Sequence, residues 1–197
     1  MPTSNVRILA AIIITAPLLI LAVSARGHHR PKNHHWPLQP KDISMAREFL
    51  LAHNKVRLHS GEAPLQWDRA LSRYARRYAK QRAADCKMVH SYGPYGENIF
   101  WGGRDHWTPT QVVRSWAREH RHYKKETNEC TKGQICGHYT QIVWKQSSRI
   151  GCARIKCKNG GLFALCEYDP PGNWVNESPF GYRIPARPPP STTSPSA

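Results

Sequence analysis

An α+β domain stapled by disulfides is predicted by three observations. Two segments repeat their apolar residues at helical spacing, a third opens on a capping box, and two apolar stretches further along flank a glycine turn in the manner of a β-hairpin. Six cysteines follow an N-terminus that reads as a secretory signal. At 197 residues, the chain has room for one domain with its own core, plus tails.

Residues 1–25 carry the signal pattern: Arg7 precedes an apolar run over residues 8–23, and Val23-Ser24-Ala25 is a small-residue cleavage site. As an uncleaved anchor the run falls short of the ~20 residues a span needs, and Pro17 interrupts it. Residues 26–41 form a basic arm, expected to be unstructured, with His28, His29, His34 and His35 among prolines and no fixed geometry for a metal. The folded domain is expected over residues 42–182. Its first helix starts from Ser44 as N-cap and runs to about Leu58, with Met45, Phe49, Ala52 and Val56 on one face. His53, Asn54 and Arg57 lie off that stripe, either solvated or, for Asn54, bonded to a neighbouring loop. Gly61 marks the stop. Asp68 caps a second helix to about Ala83, with Leu71, Ala75 and Tyr78 inward.

A loop over residues 86–101 ends in a short strand near Asn98 to Trp101. Thr108 with Gln111 three positions later is a capping box, and Pro109 suits the first helical position, so a third helix is expected to run to about Tyr123. On it Trp116 and Glu119 share a face. Residues 149–156 and 161–169 read as strands joined at Lys158-Asn159-Gly160-Gly161. Residues 183–197, rich in proline, serine and threonine, are a tail expected to be disordered.

Lysine and arginine number 29 against 13 acidic residues, a formal charge of +16 that favours membranes, acidic polysaccharides or nucleic acid without choosing among them. The second helix concentrates Arg69, Arg73, Arg76, Arg77, Lys80 and Arg82 with no acidic residue between them, and Lys124 and Lys125 follow later. Such a run is a solvated face or a functional surface. Nucleic-acid binding wants aromatics interleaved as stacking platforms, and Tyr78 falls on the apolar stripe instead, so no specific nucleic-acid partner is expected. Cys86, Cys130, Cys136, Cys152, Cys157 and Cys166 suggest three disulfides, with all 15 pairings open from sequence. No Cys-x-x-Cys pair points to structural zinc.

The chain has no Gly-x-Ser-x-Gly elbow, no His-Glu-x-x-His and no phosphate-cradling glycine loop. With every cysteine expected to be bridged, none is free as a nucleophile. Its most chemically loaded stretch is Cys136-Gly-His-Tyr-Thr-Gln-Ile-Val-Trp144, centred on His138. Other titratable groups of interest, His90, Glu97 and Glu119, lie on separate segments that spacing alone does not bring together.

That stretch, with Glu97-Asn98, Trp116-x-x-Glu119, Gly151-Cys152 and Cys166-x-Tyr168-Asp169-Pro170-Pro171-Gly172-Asn173-Trp174, resembles the CAP superfamily and, within it, the plant pathogenesis-related class 1 proteins. The resemblance implies a three-layer α/β/α sandwich around a central antiparallel sheet, with His138 opening a short helix. It implies bridges Cys86–Cys157, Cys130–Cys136 and Cys152–Cys166, and a cleft lined by His90, Glu97, Glu119 and His138. It further implies a protein secreted to the apoplast and active in defence against fungi and oomycetes. Binding of sterols or other lipids and of anionic microbial surfaces is expected, by peripheral membrane contact and as a monomer. No cofactor is required, although the four cleft residues are expected to hold Zn2+ or a similar cation weakly, with a hydrogen-bonded His–Glu cluster as the competing reading. Two further expectations compete with binding: a metal-assisted hydrolase using the cleft, and a precursor of a C-terminal signalling peptide over residues 170–180. Three departures stand out: His120-Arg-His-Tyr-Lys-Lys125 replaces closely spaced aromatics, Pro179-Phe180 precedes a proline-rich tail, and Glu167 stands where asparagine is common.

Overall fold

A computed structural model describes residues 40–181, with side chains from Ser44 onward. The expected signal, the arm up to residue 39 and the tail lie outside the described residues. The elements in order are α1 (Pro40–His59), β1 (Gln66–Trp67), α2 (Arg69–Arg82), β2 (Gly96–Gly102), α3 (Pro109–Ala117), a 3-10 turn (Arg118–His122), β3 (Tyr123–Lys124), β4 (Glu129–Cys130), α4 (Gly137–Ile142), β5 (Arg149–Lys156) and β6 (Leu162–Asp169).

The central strand β6 explains the layers. Every residue from Leu162 to Tyr168 is buried, because strand side chains alternate and both faces of this strand are covered. Leu162, Ala164, Cys166 and Tyr168 point into one half of the core, where Phe49 of α1, Val112 and Trp116 of α3 and Ile142 of α4 meet them. Phe163 and Leu165 point into the other half, against Ala75 and Ala79 of α2 and Ile99. The sheet therefore stands between α1, α3 and α4 on one side and α2 on the other. Its strand order is β1-β5-β6-β2. The three long strands are antiparallel, and two-residue β1 adds a short parallel pairing at the β5 edge.

Local signals place the helices. Asp68 accepts the amides of Ala70 and Leu71 at 2.6 and 3.0 Å, which starts α2 at the expected residue. Gly151 lets α2 approach β5 closely, since a Cβ there would collide with the Ser72 amide. Thr108 and Gln111 form the expected reciprocal cap of α3. The third helix, however, stops at Ala117 and tightens into the 3-10 turn, short of the expected end near Tyr123. The first helix is longer, beginning at Pro40 rather than Ser44, because proline is welcome in a first turn and an apolar stripe marks only where burial begins.

His53 and Arg57 are buried, not solvated. His53 bonds the Phe49 carbonyl and the Tyr168 hydroxyl, each at 2.8 Å. Arg57 donates to the carbonyls of Ala63, Ile142 and Trp144 at 2.5, 3.0 and 2.8 Å. Asn54 ties down the loop before β1, donating to the Leu65 carbonyl at 3.0 Å and accepting its amide at 2.8 Å. Disulfides join Cys86 to Cys157, Cys130 to Cys136 and Cys152 to Cys166.

Candidate functional site

The structure gathers the four residues into two clamps of one design. Glu119, just past α3, accepts the His138 Nδ1–H at 2.6 Å. Its other oxygen accepts the backbone amides of His138 and Tyr139 at 2.9 and 3.2 Å. The N-cap residue Cys136 offers α4 no side-chain cap, so this carboxylate from another segment supplies it. In the second clamp Glu97 accepts the His90 Nδ1–H at 2.6 Å and the Ser91 amide at 3.0 Å. A carboxylate only accepts, so each imidazole carries its proton on Nδ1 and turns Nε2 outward. Each clamp is an oriented imidazole with one free nitrogen.

Two neighbouring residues connect the clamps. Glu97 and Asn98 point to opposite faces of β2, and Asn98 donates to the His138 carbonyl at 3.0 Å and to the Tyr168 hydroxyl at 3.1 Å. Tyr168 in turn meets His53, whose burial lowers its pKa to about 4 and keeps it neutral. Trp116 lies between His138 and His53, its ring centroid 6.0 Å from the first and 6.1 Å from the second. Its indole N–H donates to the Ile99 carbonyl at 3.1 Å.

One nitrogen of each imidazole is held by a carboxylate, the orientation that metal-ligating histidines also adopt, and both carboxylates accept backbone amides as well. Among the described residues no three histidine, cysteine, aspartate or glutamate side chains are grouped to hold a metal ion. The geometry is that of two hydrogen-bonded His–Glu pairs.

Glu167 is the group that sequence reasoning noted only as a departure. It stands opposite Glu97 in the β2–β6 register, fully buried, and neither carboxyl oxygen has a hydrogen-bond partner among the described residues. Burial, reinforced by the charge of Glu97, pushes its pKa up to about 9, so the carboxyl is neutral at ordinary pH. The signal available in the sequence was the alternation of β6, which puts residue 167 on the same face as Phe163 and Leu165.

The basic residues divide between layers. Arg69, Arg73, Arg77 and Lys80 are exposed on α2. Arg76 and Arg82 are half-buried, and Arg82 pairs with Asp85. Lys124 and Lys125 belong to the α1, α3 and α4 side, the latter with its ammonium 4.1 Å from the Phe180 ring centroid. On that side a groove of about 450 Å3 opens between α1 and α3. Ala52, Val56, Val113 and Ala117 floor it, and Lys55, His59, Arg114 and His120 add cations or potential cations. Tyr139, which sits beside His138 on α4, reaches the same groove. Sequence reasoning missed this groove because it forms between two helices whose packing angle no local pattern records.

A sheet sandwiched between helical layers and stapled by three bridges is the architecture of the CAP class. Residues 50–168 match the family described as CAP, cysteine-rich secretory protein family, and the chain belongs to it. Within that family it is similar to pathogenesis-related protein 1B of Nicotiana tabacum, 48% identical over 168 residues, covering 85% of this chain and 92% of that protein. It is likewise 45% identical over 144 residues to pathogenesis-related protein 1 of Arabidopsis thaliana, covering 73% of this chain and 86% of that protein. Among solved structures BmVAL-1 shares the fold, with a TM-score of 0.60 and 24% identity over 76% of this chain and 86% of that chain.

Proposed function

We propose that this protein is a secreted plant defence protein of the pathogenesis-related class 1 type that acts by binding a sterol or another lipid of microbial membranes. The groove between α1 and α3 carries the reading. Its floor is apolar and its rim is cationic, the pairing that suits an amphiphile with an acyl or ring body and a polar or anionic head. The names of the similar proteins support a role in defence. The apolar run near the N-terminus and the three disulfides support secretion into an oxidising compartment. The net positive charge favours approach to an anionic microbial surface.

Titration with a fluorescent sterol and a fluorescent fatty acid tests the reading. Ala117→Trp fills the floor of the groove, and saturable binding of at least one probe is expected to weaken by about tenfold or more, the loss of roughly one buried side chain's contacts. Binding that is unchanged in Ala117→Trp, or absent for both probes, refutes the groove as the lipid site.

A further inference from the structure

We propose that the outer stripe of α1 seats this protein on an anionic lipid bilayer, with the mouth of the groove between α1 and α3 at the membrane surface; the inference rests on the reading of that groove as a lipid site. Leu51, Lys55 and Leu58 stand at i, i+4 and i+7, so they share one face of the helix. Phe49, His53 and Arg57, buried in the core, occupy the opposite face. Leu51 is 58% exposed and Leu58 76%. A single leucine in water is ordinary, but two on one stripe beside an apolar groove form a patch.

The patch is the lip of the groove. Ala52 and Val56, which floor the groove, directly follow Leu51 and Lys55 in the chain, and Lys55 itself lines it. The helix beneath the lip is fixed from within: His53 bonds the Tyr168 hydroxyl at 2.8 Å, Asn54 donates to the Leu65 carbonyl at 3.0 Å and Arg57 to the Ile142 carbonyl at 3.0 Å. Both leucines are therefore held out by a rigid element, and docking through them orders no new backbone.

Charge around the mouth identifies the partner. Lys55 on α1 and Arg114 on α3 stand on the two walls of the groove, and neither has an ion-pair partner among the described residues. No acidic residue lines the groove among the described residues. Glu48, one turn before Ala52, accepts the Thr110 amide at 3.1 Å at the start of α3. Exposed leucines among unpaired cations match the layering of an anionic bilayer, where cations meet the headgroups and apolar side chains reach the acyl boundary. A protein partner fits less well. A stable interface buries about 800 Å2 on each side, and beyond the two leucines the exposed face of α1 is Ser44, Arg47, Lys55 and His59. A second copy of the chain brings its own formal charge of +16 to the same cationic rim.

Flotation of the full chain with phosphatidylcholine vesicles containing phosphatidylglycerol, against phosphatidylcholine alone, tests the seat. Saturable binding to the anionic vesicles is expected, weakened about tenfold or more when Leu51→Ser and Leu58→Ser are combined. Lys55→Glu is expected to weaken it about tenfold at low salt, and Lys55→Arg to retain it. Met88→Ser and Val175→Ser remove apolar side chains that are 53% and 86% exposed on other segments, and are expected to leave binding unchanged. A fluorescent fatty acid in free solution reads the groove separately: the double leucine variant should bind it as the parent does, since neither leucine lines the groove. If the parent binds no fatty acid yet its vesicle binding depends on both leucines, the lipid reading of the groove fails and the seat stands. No binding to anionic vesicles, binding that ignores Leu51 and Leu58, or binding that falls equally with Met88→Ser or Val175→Ser overturns the seat, whether or not the fatty acid binds. Dimerisation lost with the two leucines, in place of vesicle binding, assigns the stripe to a second copy and overturns it as well.

Discussion

Replacing Glu167 by glutamine isolates the energetic consequence of burying a carboxyl group against Glu97. In the folded protein this carboxyl titrates near about 9, because burial and then the neighbouring charge penalise its ionised form. In the unfolded chain it titrates at its ordinary value of 4.5. Between these values the folded state holds a proton that the unfolded state has released. The stabilising contribution of the neutral group is therefore complete below about pH 4.5 and drains away as pH rises toward 9. Each pH unit is worth about 1.4 kcal/mol, so from pH 5 to 8 this one group removes about 4 kcal/mol from the unfolding free energy. Glutamine keeps the shape and a donor beside Glu97 but cannot ionise. The measurement is urea unfolding of both proteins at pH 5, 6.5 and 8. The advantage of Glu167→Gln over the parent is expected to grow by about 4 kcal/mol across that range. A difference that stays constant with pH would falsify the neutral, buried carboxyl.

Four further outcomes are expected. His53, neutral with a pKa near about 4, titrates at 6.5 once unfolded, so its stabilising contribution is intact above pH 6.5 and lost as pH falls toward 4. This opposes Glu167 below pH 6.5, and His53→Gln should expose the uncompensated Glu167 slope in that window by urea titration. Arg57→Met leaves the buried carbonyls of Ile142 and Trp144, and the more accessible one of Ala63, without their donor, and chemical denaturation should show a loss of about 3 kcal/mol. Replacing both Cys86 and Cys157 by alanine opens a loop spanning 71 positions, which the chain-entropy relation values at about 4 kcal/mol, measured as a shift of the urea midpoint at constant slope. Glu119→Ala removes the cap of α4 and frees His138; about 1 to 2 kcal/mol of stability should go, with the His138 imidazole resonances broadening or shifting in NMR spectra.

What the sequence makes legible here is what repeats locally. The stripe on α2, the reciprocal cap of α3 and the glycine turn before β6 all depend on neighbours within a few positions, and each appears where those neighbours place it. Arg57 shows the opposite case. It sits off the apolar stripe and looks solvated, because two of the carbonyls that justify its burial, those of Ile142 and Trp144, lie 85 and 87 positions away. The set of four His and Glu residues is legible through family resemblance, but resemblance does not give the pairing. That depends on the 3-10 turn that swings Glu119 onto the start of α4, and on β2 placing Glu97 and Asn98 on opposite faces. The burial of Glu167 follows from strand alternation once β6 is known to be covered on both sides, and only the position of α2 supplies that second cover.

The unequal burial of the three bridges sets the order in which a reducing medium would dismantle the protein. Cys152 and Cys166 are directly opposed in adjacent strands and wholly inaccessible, and Cys86 and Cys157 are 4% and 3% exposed. A thiolate must reach a sulfur to exchange with it, so these two bridges open only after the sheet and α2 separate. Cys130 is exposed in β4, and its bridge spans only six positions before ending at the residue that begins α4. A mild reductant therefore cuts this link first. The core keeps its staples, while the segment leading into His138 gains slack, so the first chemical injury to the molecule falls on the geometry of the His138–Glu119 clamp and not on its fold.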